Sequence, residues 1–265
     1  MRRRILCLLL LLFSAGFGQA QQTTQRFGAT GISLEAIHPT YDHYTASVLS
    51  AAYYLSAHHQ LNERILLVAE LPFSYLVEQG GFSFDRSSAS LGNPYVGLQT
   101  RYGIATYNFG VRLPTLSNPP EAADFAVMAD IQRMEAFVQD LFTVHAGFAL
   151  QSNPRNGLTY GMNLSPALMY RTRAVPNRSD LYLDYGANIG YVSTQVRSAL
   201  RFDGLSILTR DHLTFAEATL HQAVGTVDFG AGRFRPGFYM GVPLDHDMTS
   251  MLDVTLGLTF QVALR

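Results

Sequence analysis

The chain has 265 residues, 48% of them hydrophobic and 15% charged, with 19 basic against 20 acidic groups. Soluble domains carry about 25% charged residues, so this chain is charge-poor, and no basic patch marks a nucleic-acid surface. Past the N-terminus no run of 18 uncharged apolar residues exists, which excludes a transmembrane helix in the mature chain.

The N-terminus, MRRRILCLLLLLFSAGFGQAQQ, has three arginines, an apolar run from Ile5 to Phe13 and small residues up to Ala20. That is the order of a secretory signal peptide, and the apolar run falls short of the roughly 20 residues a membrane helix needs. We expect residues 1–20 to be removed and residues 21–265 to form one domain. Cys7 lies near the start of the apolar run, whereas a lipidated cysteine follows it, so the mature chain is expected to have no thiol and no disulfide. It keeps 16 arginines against 20 acidic residues and contains no lysine.

From there the chain alternates. Successive strand residues point to opposite faces, so a two-residue period reads as a strand with one apolar side. Residues 32–38 and 47–57 show the period weakly. RILLVAELPFSYLV puts Ile65, Leu67, Ala69, Leu71, Phe73 and Tyr75 opposite Glu70 and Ser74, which share their face with Leu66 and Val68. After a weaker segment at 92–102, YNFGVRLP alternates Tyr107, Phe109, Val111 and Leu113 with Asn108, Gly110 and Arg112. The long break that follows changes period. Asn118 suits a helix cap and Pro119 and Pro120 a first turn, while Phe125, Met128 and Ile131 recur at helical spacing. A short helix is therefore expected within 118–134, in a loop.

The strand pattern resumes at 137–150, then in LTYGMNLSPALMYR and LYLDYGANIGYV, more weakly at 195–202 and 212–224, and in RFRPGFYMGVP. It ends with LDVTLGLTFQVALR, where Leu252, Val254, Leu256, Leu258, Phe260, Val262 and Leu264 take every second position. About twelve strands of roughly 8 to 14 residues match a tilted membrane-spanning strand. Short turns such as AHHQLN, YGIATY and SNPRNG alternate with longer breaks such as EQGGFSFDRSSAS, as in bacterial outer-membrane barrels with their termini in the periplasm.

Periodicity does not say which face is inside, since a soluble sandwich or lipocalin-like barrel alternates too, with its apolar face inward. Tyr and Phe crowd the apolar face near strand ends, as interfacial girdles require. The other face mixes glycine, Asn and Thr with Glu70, Arg101, Arg112, His145, Arg171, Asp184, Glu217, Arg235 and Asp253, where a soluble surface would carry lysine and more charge. A closing C-terminal strand leaves no open edge. The absence of tryptophan counts mildly against girdles. The expected fold is all-β, a transmembrane antiparallel barrel of about twelve strands with a short helix in one extracellular loop.

Three fragments, SLGNPYVGLQTRYG (90–103), NFGVRLPT (108–115) and RPGFYMGVPLDHD (235–247), resemble a group of Gram-negative outer-membrane barrels described as transporters, among them the family named for the MetA pathway of phenol degradation. The resemblance implies outer-membrane lipid, a small-molecule solute and the barrel-assembly machinery as partners, and transfers no catalytic residue. The chain departs from the usual aromatic barrel ending, since it closes on Arg265 with Phe260 as the nearest aromatic.

No catalytic constellation emerges from the residues. No mature histidine has a serine two positions later on its strand face, and the Asp–His neighbours at 210–212 and 244–247 sit in outer loops. A rim hydrolase would need His212 or His246. His58, His59 and His43 read as exposed turn imidazoles, since metal sites show tighter ligand sets; no cofactor is expected. The nine inward charges allow two readings, an interior salt-bridge network that rigidifies a narrow barrel or a polar lining that selects solutes. Tyr95, Tyr182 and Tyr239, on the same side, suit either stacking of aromatic cargo or plain filling. The functional expectation is a channel or transport component for small solutes, apolar or aromatic ones among them. The alternatives are a closed structural or adhesion barrel whose loops 77–91 and 115–133 bind a partner, and the rim hydrolase.

Overall fold

In the computed structural model the described residues are 30–264 except 42–45, 48, 79–85, 118–119, 153–155, 174–178, 211–212 and 231. The expected signal peptide, His43, Asn118, His212 and Arg265 lie outside them.

Thirteen strands form one antiparallel sheet: β1 Gly31–Tyr41, β2 Ala51–Gln60, β3 Ile65–Glu78, β4 Arg86–Leu91, β5 Tyr95–Tyr102, β6 Ala105–Arg112, β7 Leu141–Gln151, β8 Gly157–Arg171, β9 Ser179–Val192, β10 Val196–Ile207, β11 Thr219–Phe229, β12 Phe234–Pro243 and β13 Leu252–Ala263. Sequence neighbours pair, except that β4 and β5 both pair with β3. The final strand closes on the first from Gly31↔Ala263 to Tyr41↔Leu252, and β2 pairs with β3, so the sheet returns on itself. β3 carries β5 along residues 65–70 and β4 along 73–78. β4 and β5 are thus two pieces of one stave, broken at Gly92, Asn93 and Pro94, and the barrel has twelve staves. Part of the break expected after Glu78 is therefore strand.

Burial settles which face is inside. Leu98, Phe109, Leu164, Ile189, Leu200, Phe238 and Leu258 are exposed, while Ser33, Glu35, Glu70, Asn108, Asn163, Asp184, Asp203 and Gln222 are buried on the alternate positions. An apolar outer wall around a polar interior is the membrane arrangement; a soluble barrel would be inverted. Short turns join the strands at the end where β1 begins and β13 finishes, and longer connections lie at the other, here the turn end and the loop end.

The expected loop helix comes as two pieces: α1, Glu121–Ala126, and a 3₁₀ helix, Ile131–Ala136. Both fold into the barrel, where Ala122, Ala123, Phe125, Ile131, Glu135, Ala136 and Phe137 are buried. α1 packs against β1 to β4, and the 3₁₀ helix against β10 and β11 on the far side. A further short helix, α2, His246–Thr249, stands at the loop end.

Candidate functional site

The inserted segment 113–140 is a plug, and its seat is the broken stave. The buried Asn93 donates its backbone N–H to Ala136 O at 2.7 Å and its side-chain amide to Glu135 O at 3.0 Å and Val138 O at 2.7 Å. Its Oδ1 accepts from Leu116 N–H at 2.9 Å. Pro94 cannot donate to a ladder, and Asn93 supplies the hydrogen bonds that the interrupted strand would otherwise have made. Within the plug, Asp130 accepts from Gln132 N–H at 3.0 Å and so caps the 3₁₀ helix.

The plug is then clamped by charge. Arg112, on the last turn of wall before the plug, donates to Glu70 Oε1 at 2.9 Å, Glu135 Oε1 at 3.1 Å and Asn93 O at 2.8 Å. Arg133, on the plug, donates to Glu35 Oε2 at 2.7 Å, Glu70 Oε2 at 3.3 Å and Asp130 Oδ2 at 2.8 Å, and its guanidinium lies 3.7 Å from the Tyr54 ring centroid. His145 Nε2 stands 3.3 Å from Glu135 Oε1. Burial alone would push the Glu135 carboxyl up, but Arg112 and His145 hold it down at about 2. The Arg133 guanidinium likewise loses solvent, yet Glu35, Asp130 and Glu70 keep it firmly charged. Buried carboxylates and guanidiniums are stable only when paired and hydrogen-bonded in this manner. Tyr95 fills the space beside the clamp. Its ring stands edge-on to His145 at 5.7 Å, across positions where any side chain on Gly97 or Gly110 would collide with it.

The opposite interior wall, from β8 to β12, is polar but less tightly paired. Asp184 Oδ1 accepts from Asn163 Nδ2 at 2.9 Å and Gln132 Nε2 at 3.2 Å. Asp203 lies 3.1 Å from Arg201 Nη2, an ion pair made within the wall itself. At the loop end Met134, Glu135, Val138, Leu141, Met169, Arg171, Asp180 and Tyr182 line a recess above the clamp.

Of the nine charges expected inside, Glu70, Arg112, His145 and Asp184 are buried within the barrel. Arg101 and Arg235 occupy inward positions near the turn end and are half-buried, Arg101 donating to Gly103 O at 2.9 Å. Arg171 is exposed on the recess rim. Two are placed elsewhere. Glu217 is on no strand; it is exposed in a loop-end turn, where it accepts from Thr214 N–H and Oγ1–H at 2.8 Å each. Asp253 is exposed because a bulge skips it, Thr40 facing Val254 and Tyr41 facing Leu252. One extra residue turns over the side chains beyond it, so Leu252, expected on the outer face, is buried against Ile131 and Met248. Tyr95 and Tyr239 are buried interior side chains; Tyr182 lines the recess.

The residues missed are Glu35, Asp130, Arg133, Glu135, Arg201 and Asp203. Glu35 was legible, since Ser33 and Glu35 alternate with Ile32, Leu34 and Ala36. The three plug charges had one signal, polar groups within an apolar helical run. His246 opens α2, exposed, away from the interior clamp.

No family model matches the chain, and no curated protein does. Solved structures do match. The COG4313 outer membrane channel from Pseudomonas putida F1 aligns over 93% of this chain and 99% of its own with a TM-score of 0.63 and 13% identity. The NanC porin aligns over 88% and 100%, with TM-score 0.55 and 6% identity, and LpxR from Salmonella typhimurium over 88% and 100%, with TM-score 0.52 and 11% identity. At such identities the likeness is one of fold, and the fold is that of outer-membrane β-barrels.

Proposed function

We propose that the protein is a narrow outer-membrane channel for small solutes, its conducting path opening along the wall from β8 to β12, against which the plug packs through Gln132 and apolar side chains of its 3₁₀ helix. One observation carries this reading: Arg112 and Arg133 ion-pair the plug to the other half of the barrel, while towards the wall from β8 to β12 it offers the neutral Gln132, bonded to Asp184. On the path side the described buried residues include three carboxylates, Asp184, Asp203 and Asp228, against two guanidiniums, Arg197 and Arg201. A lining with surplus acid favours cations. The recess at the loop end, which the orientation of outer-membrane barrels places outside the cell, offers Met134, Leu141 and Met169 to a solute's apolar part. Small cationic or neutral solutes, aromatic ones among them, fit both features. The resemblance of three sequence fragments to the MetA-pathway family supports a transport role of the same kind.

Single-channel recording of refolded residues 21–265 in a planar bilayer tests the proposal. Discrete steps with a reversal potential that favours cations are expected. Silence from a folded, heat-modifiable barrel would overturn it in favour of a closed structural barrel.

A further inference from the structure

The outer wall carries a second polar assembly. In the strand register Gly204 of β10 faces Tyr185 of β9 on one side and His221 of β11 on the other. This row lies on the membrane-facing side near the loop end, flanked by the exposed Leu164 and Leu244. His221 Nδ1 is 2.9 Å from Asp245 Oδ1, and its Nε2 is 2.7 Å from Tyr185 Oη. The other Asp245 oxygen accepts the His221 backbone N–H. A Cβ on Gly204 would lie 2.4 Å from Tyr185 Cζ, so glycine is what lets the tyrosine ring cross β10 to reach the imidazole. Phe202 stacks on that imidazole at 5.3 Å, and Phe215, 69% exposed, approaches it from the loop.

We propose that Tyr185, His221 and Asp245 form an acyl-transfer site that hydrolyses carboxylic esters of membrane amphiphiles. A carboxylate on Nδ1 fixes the proton there and leaves the Nε2 lone pair aimed at a hydroxyl, the ordering of carboxylate, imidazole and nucleophile that activates an oxygen for attack. Tyr185 Oη attacks the ester carbonyl carbon as its proton passes to His221 Nε2. The carbon–oxygen bond to the alcohol breaks, and the departing oxygen takes that proton, leaving the acyl group on Tyr185. Water then attacks the aryl ester, giving up a proton to Nε2, which returns it to the phenolic oxygen as the carboxylic acid leaves. Nothing is oxidised or reduced. Phe202, Phe215 and Leu244 offer the acyl chain an apolar seat at the level where lipid tails meet their heads. Asp245 is the positioning residue. The site is independent of the interior path, since it faces outward.

The test is hydrolysis of p-nitrophenyl laurate, and of phosphatidylethanolamine in mixed micelles, by refolded residues 21–265, with folding verified by heat-modifiable migration. Saturable turnover of at least one ester is expected. Tyr185→Phe and His221→Ala should each lower kcat by about 100-fold or more, and Asp245→Asn by about 10-fold or more at unchanged KM. Mass spectrometry should find the acyl group on the peptide that contains Tyr185. Tyr185→Phe keeps the His221–Asp245 pair and hence the tie to the 244–251 connection. Turnover that survives this change, or a folded wild-type barrel inert towards both esters, would overturn the proposal and leave the chain of hydrogen bonds as a tie between loop and wall.

Discussion

The two halves of the barrel interior are built from the same residue types and solve opposite problems. On the side of β1 to β3 and β6, two arginines hold four carboxylates, and both guanidiniums are hydrogen-bonded on several sides. On the side of β10 and β11, Asp203 lies 3.1 Å from Arg201 within its own wall, and the plug meets the neighbouring Asp184 through the neutral Gln132. Ion pairs between plug and wall immobilise; charges that pair within one wall leave the plug free to part from it. A polar lining can therefore be a lock in one place and a path in another, and partner geometry rather than composition separates the two.

The largest break in that comparison is Arg133→Ala. It strips Glu35, Glu70 and Asp130 of a shared cation, and removal of one member of a buried ion pair costs about 3–5 kcal/mol. Heat-modifiable migration should shift to a clearly lower temperature, and any conductance should rise as the plug loosens. Asn93→Ala removes three side-chain hydrogen bonds to the plug, each worth about 0.5–1.5 kcal/mol with a further cost for the buried groups it orphans. It should lower the same unfolding temperature by less. On the path side, Asp184→Asn keeps the side-chain shape and removes one negative charge; the reversal potential should move towards non-selectivity while the unfolding temperature changes little.

Acid sharpens the contrast. The Glu135 carboxyl is held at about 2, below its ordinary value of 4.5. A depressed carboxylate contributes stability that is present above its unfolded pKa and is lost as pH falls through the folded one. The Glu135 contribution to the lock should thus be full above about pH 4.5, decline progressively as pH falls and be gone below about 2, which conductance recorded across a pH series would reveal. The smallest effects are expected at the two charges that lie outside the interior. Glu217→Gln and Asp253→Asn should leave unfolding temperature and selectivity within error, since surface substitutions stay within about 0.5 kcal/mol.

How much of this was legible follows from period. Strands write their burial into every second residue, so the staves, their closure through residues 252–264 and the inward faces of Glu70, Arg112, His145 and Asp184 could be read directly. The reading failed where the period is interrupted. One bulged residue moved Asp253 out and Leu252 in, and a stave broken at Asn93 and Pro94 left the strand 86–91 looking like loop. Glu217 falls in the segment 212–224, whose strand begins only at Thr219. Phe125, Met128 and Ile131 showed a helix but not where it goes.

The sequence by itself determined a membrane-spanning β-barrel with a polar interior, because alternation is a local property and the glycine-rich polar face without lysine marked the apolar face as the one for lipid. Only the tertiary structure decided that residues 113–140 turn inward, that Arg133 meets Glu35 across 98 positions, and that Tyr185, His221 and Asp245 converge on the outer wall. Those contacts depend on strand register, bulges and one broken stave, which bring together residues far apart in the chain and leave no periodic trace in it.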